Sequence, residues 1–96
     1  MSPPSSFKFR LYIAGDTLNS MRAITNLTAL CRVHLQDRHT IEIVDLSREP
    51  RRALTDGILM TPTLVILSPS PIRKIVGTLS QPQPVLELLG VETIIA

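Results

Sequence analysis

Side chains that commonly carry out catalysis or bind metals are scarce in this chain of 96 residues. The candidates are one cysteine, Cys31, and the two histidines His34 and His39. A lone thiol cannot form an internal disulfide, and these three residues do not have the spacing of a zinc site. We therefore predict no metal site and no cofactor, and the cysteine usage fits a reducing compartment.

Sequence motifs of other functional classes are missing as well. The chain has no G-x-S-x-G motif and no glycine-rich phosphate loop. Its only aromatic residues are Phe7, Phe9 and Tyr12 and its net charge is +2, so neither base stacking nor a basic surface indicates nucleic acid. Residues 1–6 lack the regions of a signal peptide, and no apolar run reaches the roughly 18 residues that span a bilayer, so we expect a cytoplasmic protein without membrane contact.

Two strands and a connecting helix are predicted to open the fold. Residues 1–6, with two prolines among serines, are expected to be a disordered leader to a single domain over residues 7–96. Residues 7–13 alternate apolar and basic side chains before becoming fully apolar, and residues 40–46 are rich in β-branched side chains, so both are predicted strands. Because a helix connects them, the strands are expected to be parallel.

The connecting helix is predicted over residues 19–36, after a capping residue among Asp16, Thr17 and Asn19. Its apolar residues recur at steps of three and four, which predicts that one face packs on the sheet. Cys31 belongs to this face and is therefore expected to be a buried, unreactive thiol. The face consists of Ile24, Leu27, Cys31 and Leu35, widened by Met21 and Leu30.

Two further helices are bounded by proline and glycine. A short helix is predicted to begin near Pro50 and to end at Gly57, and a last helix is predicted from Ser80 to Gly90. Residues 91–95 conflict with this pattern, because their composition favours a strand. The exposed face of the short helix is expected to be available to a partner; its residues are Glu49, Arg51, Arg52 and Asp56.

A hairpin completes the pattern. Residues 63–67 and 72–76 are predicted antiparallel strands, with a turn made rigid by Pro69 and Pro71. The element order βαβαββα, with Pro62 directly before the third strand, is the order of the thioredoxin fold, and Pro62 occupies the place of that fold's cis-proline. The sequence therefore predicts an α/β, thioredoxin-like domain.

The predicted helix start lacks the chemistry of that fold. A thioredoxin has Cys-x-x-Cys here, because the helix N-terminus lowers the thiol pKa and makes a nucleophile. This chain has Thr17-Leu18-Asn19-Ser20, and the hydroxyls of Thr17 and Ser20 cannot form a disulfide or a reactive thiolate. We therefore expect a protein that is not an enzyme and that keeps its fold as a binding surface.

Several separate segments resemble the KaiB family of circadian clock proteins, in order and without gaps. The resemblance covers about residues 7 to 90. It is carried by LYIAGDTLNS at residues 11–20, Arg22-Ala23, Val44-Asp45, Pro50, ILMTPTL at residues 58–64, PIRKIVG at residues 71–77 and Leu79-Ser80.

The resemblance implies a partner and a conformational change. Members of the family bind the N-terminal ATPase ring of a KaiC-type ATPase and, in the cyanobacterial clock, help to sequester KaiA and to switch output histidine kinases. It also implies two folds: a resting homo-oligomer, a tetramer or dimer with a rearranged C-terminal half, and a thioredoxin-like monomer that binds. Residues 91–95 would suit the strand of the resting form.

The resemblance also implies binding positions, each of which could instead be an ordinary solvated side chain. Glu42 and Ile66 stand at positions that are cationic in cyanobacterial members, Gly57 replaces another lysine, and the usual acidic C-terminal tail is missing. The predicted partner-binding residues are Arg22, Glu42, Pro50, Arg51, Ala53, Leu54, Arg73 and Lys74, and the predicted structural residues are Thr17, Ser20, Pro62, Pro69 and Pro71.

Three other functions remain open at this stage. The chain could be a KaiB-like sensory module of a histidine kinase, standing alone. It could be an adaptor in a stress-response pathway that has a KaiC-like ATPase as its only partner. It could also be a degenerate thiol oxidoreductase, or a glutathione-binding protein that uses the surface around Pro62.

Overall fold

Strands and helices follow the predicted order βαβαββα over the residues that the computed structural model describes, 7–36 and 38–91. The predicted leader and residues 92–96 of the tail lie outside them. The elements are β1 (Phe7–Ile13), α1 (Leu18–His34), β2 (His39–Asp45), α2 (Arg51–Thr55), β3 (Thr63–Ser68), β4 (Arg73–Val76) and α3 (Pro82–Leu89).

The strands form one mixed sheet in the order β2-β1-β3-β4. β1 and β2 are parallel, as the helical connection predicts, with Phe7 opposite His39 and Ile13 opposite Asp45. β3 is antiparallel to both β1 and β4, which confirms the hairpin. The mixed sheet with helices on both sides is the α/β architecture that the sequence predicts.

α1 and α3 cover one side of the sheet, which we call the α1/α3 face. The core there is apolar and includes Phe9 and Leu11 of β1, Leu27 of α1, Ile66 of β3 and Leu86 of α3. Leu30, Cys31 and Leu35 are buried in it too, as the periodicity predicts, and Ile24 packs against it. Met21 does not belong to this face, because its side chain is 47% exposed; the predicted apolar face was too wide at this position.

The opposite side of the sheet, the α2 face, is only thinly covered. Its apolar cluster is small and consists of Tyr12, Val44, Ile58 and Val65, with Leu46 and Leu67 packed at its margin. α2 itself has no buried residue. The two sides of the sheet therefore differ sharply in how much apolar surface they bury.

The ends of α1 and α3 follow from local backbone chemistry. α1 ends at His34 rather than at residue 36, because Gln36 takes a left-handed backbone conformation with φ 49°. α3 begins at Pro82 rather than at Ser80, since a proline without an N–H suits the first helical position. Gly90 ends it in the left-handed conformation, φ 70°, as predicted.

Val91, directly after α3 and Gly90, is the last residue that the structure describes. Val91 is in neither helix nor strand, and its N–H donates to the Leu86 carbonyl oxygen at 3.0 Å. The rest of the predicted terminal strand is outside the described residues.

Within residues 7–36 and 38–91, none of the helices combines the length and hydrophobicity that crossing a bilayer requires.

Candidate docking surface

The hydroxyls of Thr17 and Ser20 lie at the start of α1, where a thioredoxin has its two sulfurs. Thr17 caps α1 by accepting a hydrogen bond from the Ser20 N–H at 3.3 Å, and its hydroxyl lies 2.7 Å from the buried Ser20 hydroxyl. Ser20 also accepts a hydrogen bond from the Ala14 N–H at 3.0 Å. These contacts join β1 to α1, so the pair holds the structure together without any redox capacity.

Pro62 lies in the loop that enters β3. The Thr61–Pro62 peptide bond is cis, and Pro62 and Thr63 are buried. The Thr63 hydroxyl donates to the Met60 carbonyl oxygen, which closes the loop over three residues. Pro69 and Pro71, which also follow cis bonds, lie in the exposed turn between β3 and β4.

Cys31 has no access to a reaction partner. It lies on the sheet-facing side of α1 and is fully buried. This burial raises the pKa of its thiol to about 12, so the nucleophilic thiolate is not formed at neutral pH. His34 and His39 are half-buried. The part of the chain that the structure describes contains no group of three or more His, Cys, Asp and Glu residues arranged to hold a metal ion.

The α2 face carries a connected set of charges instead. Arg10 on β1 donates to Glu42 on β2, with 2.7 Å between Nε and Oε1. The other oxygen of Glu42 lies 3.5 Å from Arg52 of α2, and Arg52 also lies 3.5 Å from Asp56 and 3.7 Å from Glu49. We call these residues, with Tyr12, the α2 charge network. It links the short helix to two strands of the sheet.

Tyr12 of β1 belongs to this network and binds the C-terminal end of α2. Its buried hydroxyl donates to Asp56 at 2.5 Å and lies 3.5 Å from Arg10. Burial, helped by the bond to Asp56, raises the pKa of Tyr12, while the same bond lowers the pKa of Asp56. The hydrogen bond from Arg10 lowers the pKa of Glu42, so both carboxylates stay ionised at neutral pH.

Lys74 on β4 also binds the C-terminal end of α2. Its ammonium donates to the backbone carbonyl oxygens of Asp56 and Gly57, at 3.2 Å each. A cation at the C-terminus of a helix complements the carbonyl groups that lack partners there. Lys74 therefore attaches α2 to a third strand.

Apolar side chains next to α2 are left in solvent. Leu54 of α2 is 89% exposed and Leu59, in the following loop, is 97% exposed. Met60 and Val76 are also largely exposed, and they line a pocket together with Leu59 and Lys74. We call Leu54, Leu59, Met60 and Val76 the apolar ridge. Three of them, Leu59, Met60 and Val76, share one pocket, and exposed apolar side chains grouped in this way are typical of a protein interaction site.

Most of the predicted partner-binding residues lie on the α2 face. Pro50, Arg51 and Leu54 are exposed at α2, Ala53 is half-buried, and Lys74 pairs in register with Val65 of the α2-face cluster. Glu42 pairs in register with Arg10, which lies between the α1/α3-face residues Phe9 and Leu11 and so points to the α2 face.

Arg22 and Arg73 are not brought to this surface. Arg22 lies on the exposed side of α1. Arg73 pairs in register with Ile66, a residue of the α1/α3 core, so it belongs to the other side of the sheet. The predicted set is therefore divided between two faces.

Sequence reasoning included Leu54 of the apolar ridge but missed Leu59, Met60 and Val76, and it missed the network partners Arg10 and Tyr12. Arg52 and Asp56, expected to be available on the short helix, are half-buried in ion pairs. A partial signal for the ridge exists in the sequence: residues 58–60 form an apolar run in a loop, of which Ile58 is buried and Leu59 and Met60 are exposed. Arg10 and Tyr12 gave no such signal, since their partners are more than 30 residues away.

The fold defines a class of protein: a thioredoxin-like domain with one cysteine and no Cys-x-x-Cys pair. Solved structures agree on the fold. The N-terminal domain of Synechococcus elongatus SasA superposes with a TM-score of 0.73 at 14% identity, over 99% of this chain and 94% of that chain. Chloroplastic thioredoxin z gives 0.73 at 16% identity, over 90% of this chain and 77% of that chain.

Sequence relatives identify the family. The sequence model of the KaiB domain matches residues 10–91. The circadian clock oscillator protein KaiB of Prochlorococcus marinus is 40% identical over 86 residues, which are 90% of this chain and 74% of the relative. The protein of the same name from Synechococcus elongatus is also 40% identical, over 90% of this chain and 84% of the relative. The chain belongs to the KaiB family.

Proposed function

We propose that this chain is a non-enzymatic circadian-clock or clock-like regulator that binds the N-terminal ATPase ring of a KaiC-type ATPase through its α2 face. The observation that carries the proposal is the apolar ridge, left uncovered beside α2 in a member of the KaiB family. Relatives at 40% identity are named circadian clock oscillator proteins. The binding then modulates the phosphorylation cycle of the ATPase.

The contacts expected at this interface follow from the exposed groups. Leu54 and Leu59 supply apolar anchors, and Arg51, which is exposed beside them, supplies a positive rim. An apolar centre with a charged rim is the usual anatomy of a protein interface. The matching surface on the ATPase should therefore be an apolar depression bordered by carboxylates.

The regulator acts by binding rather than by chemistry. Thr17 and Ser20 hold hydroxyls where a dithiol enzyme needs sulfurs, and the only thiol, Cys31, is buried with a raised pKa. These observations support a non-enzymatic role, and a cytoplasmic location belongs to the same proposal. KaiA and output histidine kinases belong to the same proposal as further partners.

The proposal includes a resting homo-oligomer whose C-terminal half is arranged differently. The segment that would rearrange already holds a local conflict: Leu79, just before α3, has φ 62°, a left-handed conformation that side chains with a Cβ disfavour. A sequence whose local preferences conflict with one fold is a candidate for a second. The tetramer-to-monomer change then controls access to the binding form.

Co-elution with a purified KaiC-type ATPase, with and without ATP, tests the proposal. The wild type is expected to elute with the ATPase ring, and Leu54→Ser is expected to lose at least about tenfold in affinity, since it removes an anchor residue. Val33→Ser is the matched control, because Val33 is 68% exposed but lies on α1. Absence of binding both with and without ATP contradicts the proposal, and so do equal losses of affinity in the two variants.

A further inference from the structure

α2 lacks the features that usually fix a helix on a protein surface. It has five residues, none of them buried, and Pro50 at its N-cap makes no side-chain hydrogen bond. A helix this short has almost no stability of its own, and packing normally supplies it. Something other than apolar burial must therefore hold α2, and with it Leu54, in place.

Polar contacts from three different strands hold α2 in place. Tyr12 of β1 bonds to Asp56, Glu42 of β2 pairs with Arg52, and Lys74 of β4 bonds to the carbonyl oxygens that end the helix. Because the attachments reach α2 from different strands, together they fix both its position and its rotation.

Glu42 is the central residue of this arrangement. One carboxylate oxygen is 2.7 Å from Arg10 and the other is 3.5 Å from Arg52, so both oxygens are engaged within the chain. The side chain is 48% exposed, so an outside partner that bound the carboxylate would share it with two arginines of the chain itself.

We propose that Glu42 is a positioning residue rather than a contact residue: it holds Arg52, and through Arg52 it keeps α2 docked so that Leu54 is presented to the partner. This inference rests on the proposed function for its binding consequence. Exposed ion pairs are individually weak, but a segment with little apolar anchoring opens at small cost, so weak pairs decide how often it is open.

Hydrogen exchange and affinity, measured on Glu42→Gln, test the assignment. We expect the amides of residues 51–58 to exchange about three- to tenfold faster, the range that the loss of two exposed pairs implies. The Kd for the KaiC-type ATPase should rise by no more than the exchange factor, because a positioning residue acts on affinity only through the docked fraction. Glu87→Gln, an exposed glutamate on α3, is the matched control and should change neither quantity.

Salt and a second variant separate positioning from direct contact. Raising NaCl to about 1 M screens exposed pairs, so it should accelerate exchange more in the wild type than in Glu42→Gln, which keeps only the pairs of Arg52 with Glu49 and Asp56. Tyr12→Phe keeps the buried ring but removes the bond to Asp56, and it should loosen residues 51–58 in the same way.

The outcomes are distinguishable. An affinity loss without faster exchange, or one larger than the exchange factor, makes Glu42 a direct contact and overturns the inference. Unchanged exchange in Glu42→Gln overturns it as well. If the wild type binds no KaiC-type ATPase, the proposed function fails, while the exchange data alone still decide whether Glu42 holds α2.

Discussion

The two faces of the sheet are held by different forces. On the α1/α3 face, Leu27 and Leu86 interlock with β1 and β3 in a closed apolar core. On the α2 face, a five-residue helix without any buried residue is attached by ion pairs and hydrogen bonds. The first arrangement stabilises the fold, since apolar burial is the dominant favourable term in folding.

The second arrangement leaves a surface free for recognition. Polar attachments can hold α2 without covering Leu54 or Leu59, whereas an apolar anchor would bury such residues beneath the helix. We propose that this difference is a division of roles: one face supplies stability, and the other presents apolar side chains to a partner.

The largest contrast is expected in thiol reactivity. Cys31 lies in the closed core, so in the native protein it should react with a thiol reagent at least about a thousandfold more slowly than a free thiol, because reaction requires unfolding. The variant Cys31→Ala/Thr55→Cys places a single thiol on the exposed α2 and should react at the free-thiol rate. Rapid labelling of Cys31 in folded protein argues against a closed core.

A core truncation should cost much more than a truncation on the ridge. Leu27→Ala removes a fully buried side chain and is expected to lower the free energy of unfolding by about 3 kcal/mol, measured by urea denaturation. Leu54→Ala removes an exposed side chain and should change it by less than about 0.5 kcal/mol. Similar costs at both positions contradict the proposed division.

The cap of α1 should have an intermediate effect. Thr17→Val keeps the shape of the side chain but removes the hydroxyl that accepts the Ser20 N–H, and should cost about 1 kcal/mol of unfolding free energy. Thr25→Val makes the same change on the exposed side of α1, away from the cap, and should cost a few tenths at most. Equal losses would show that the hydroxyl is not the cause.

The smallest effect is a local loosening of α2 in acid. The pKa values of Glu42 and Asp56 are lowered in the folded protein, from 4.5 and 3.8, so their stabilising contribution is complete above those values and is lost as the pH falls through the folded ones. Arg10 and Arg52, whose pKa values are raised, stay protonated throughout. Amide NMR should show residues 51–57 unchanged between pH 8 and 5 and loosened below about pH 4, before α1 responds.

An acid response in α1 at the same pH as in α2 is the contrary result, since it would mean that the two faces are not independent. Neither α1 nor α3 contributes a residue to the α2 charge network. The faces are therefore expected to separate in this experiment.

Local patterns predicted the closed face well. The alternation in β1 and the spacing of Leu27, Cys31 and Leu35 each follow from a short stretch of sequence, because helical and strand periods place side chains on a face. Met21 was misassigned for the same reason: the periodicity gives the direction of a face but not the width of the surface that packs on it.

The open face was less predictable because it depends on contacts between distant residues. Arg10, Glu42 and Arg52 come from three elements, and only the register of β1 against β2 brings Arg10 opposite Glu42. A single charge in a strand does not reveal its partner, so Glu42 was interpreted as a binding residue with no knowledge of its ion pairs. Arg73 was grouped with Lys74, although neighbours in a strand point to opposite sides of a sheet.

The most direct test of the account is a hydrogen-exchange comparison of the free protein with its complex with a KaiC-type ATPase. We expect the amides of residues 51–60 to become at least about tenfold more protected in the complex, while those of residues 22–33 in α1 stay within about twofold of the free protein. Protection concentrated on α1 and α3, with residues 51–60 unchanged, would contradict the assignment of recognition to the α2 face.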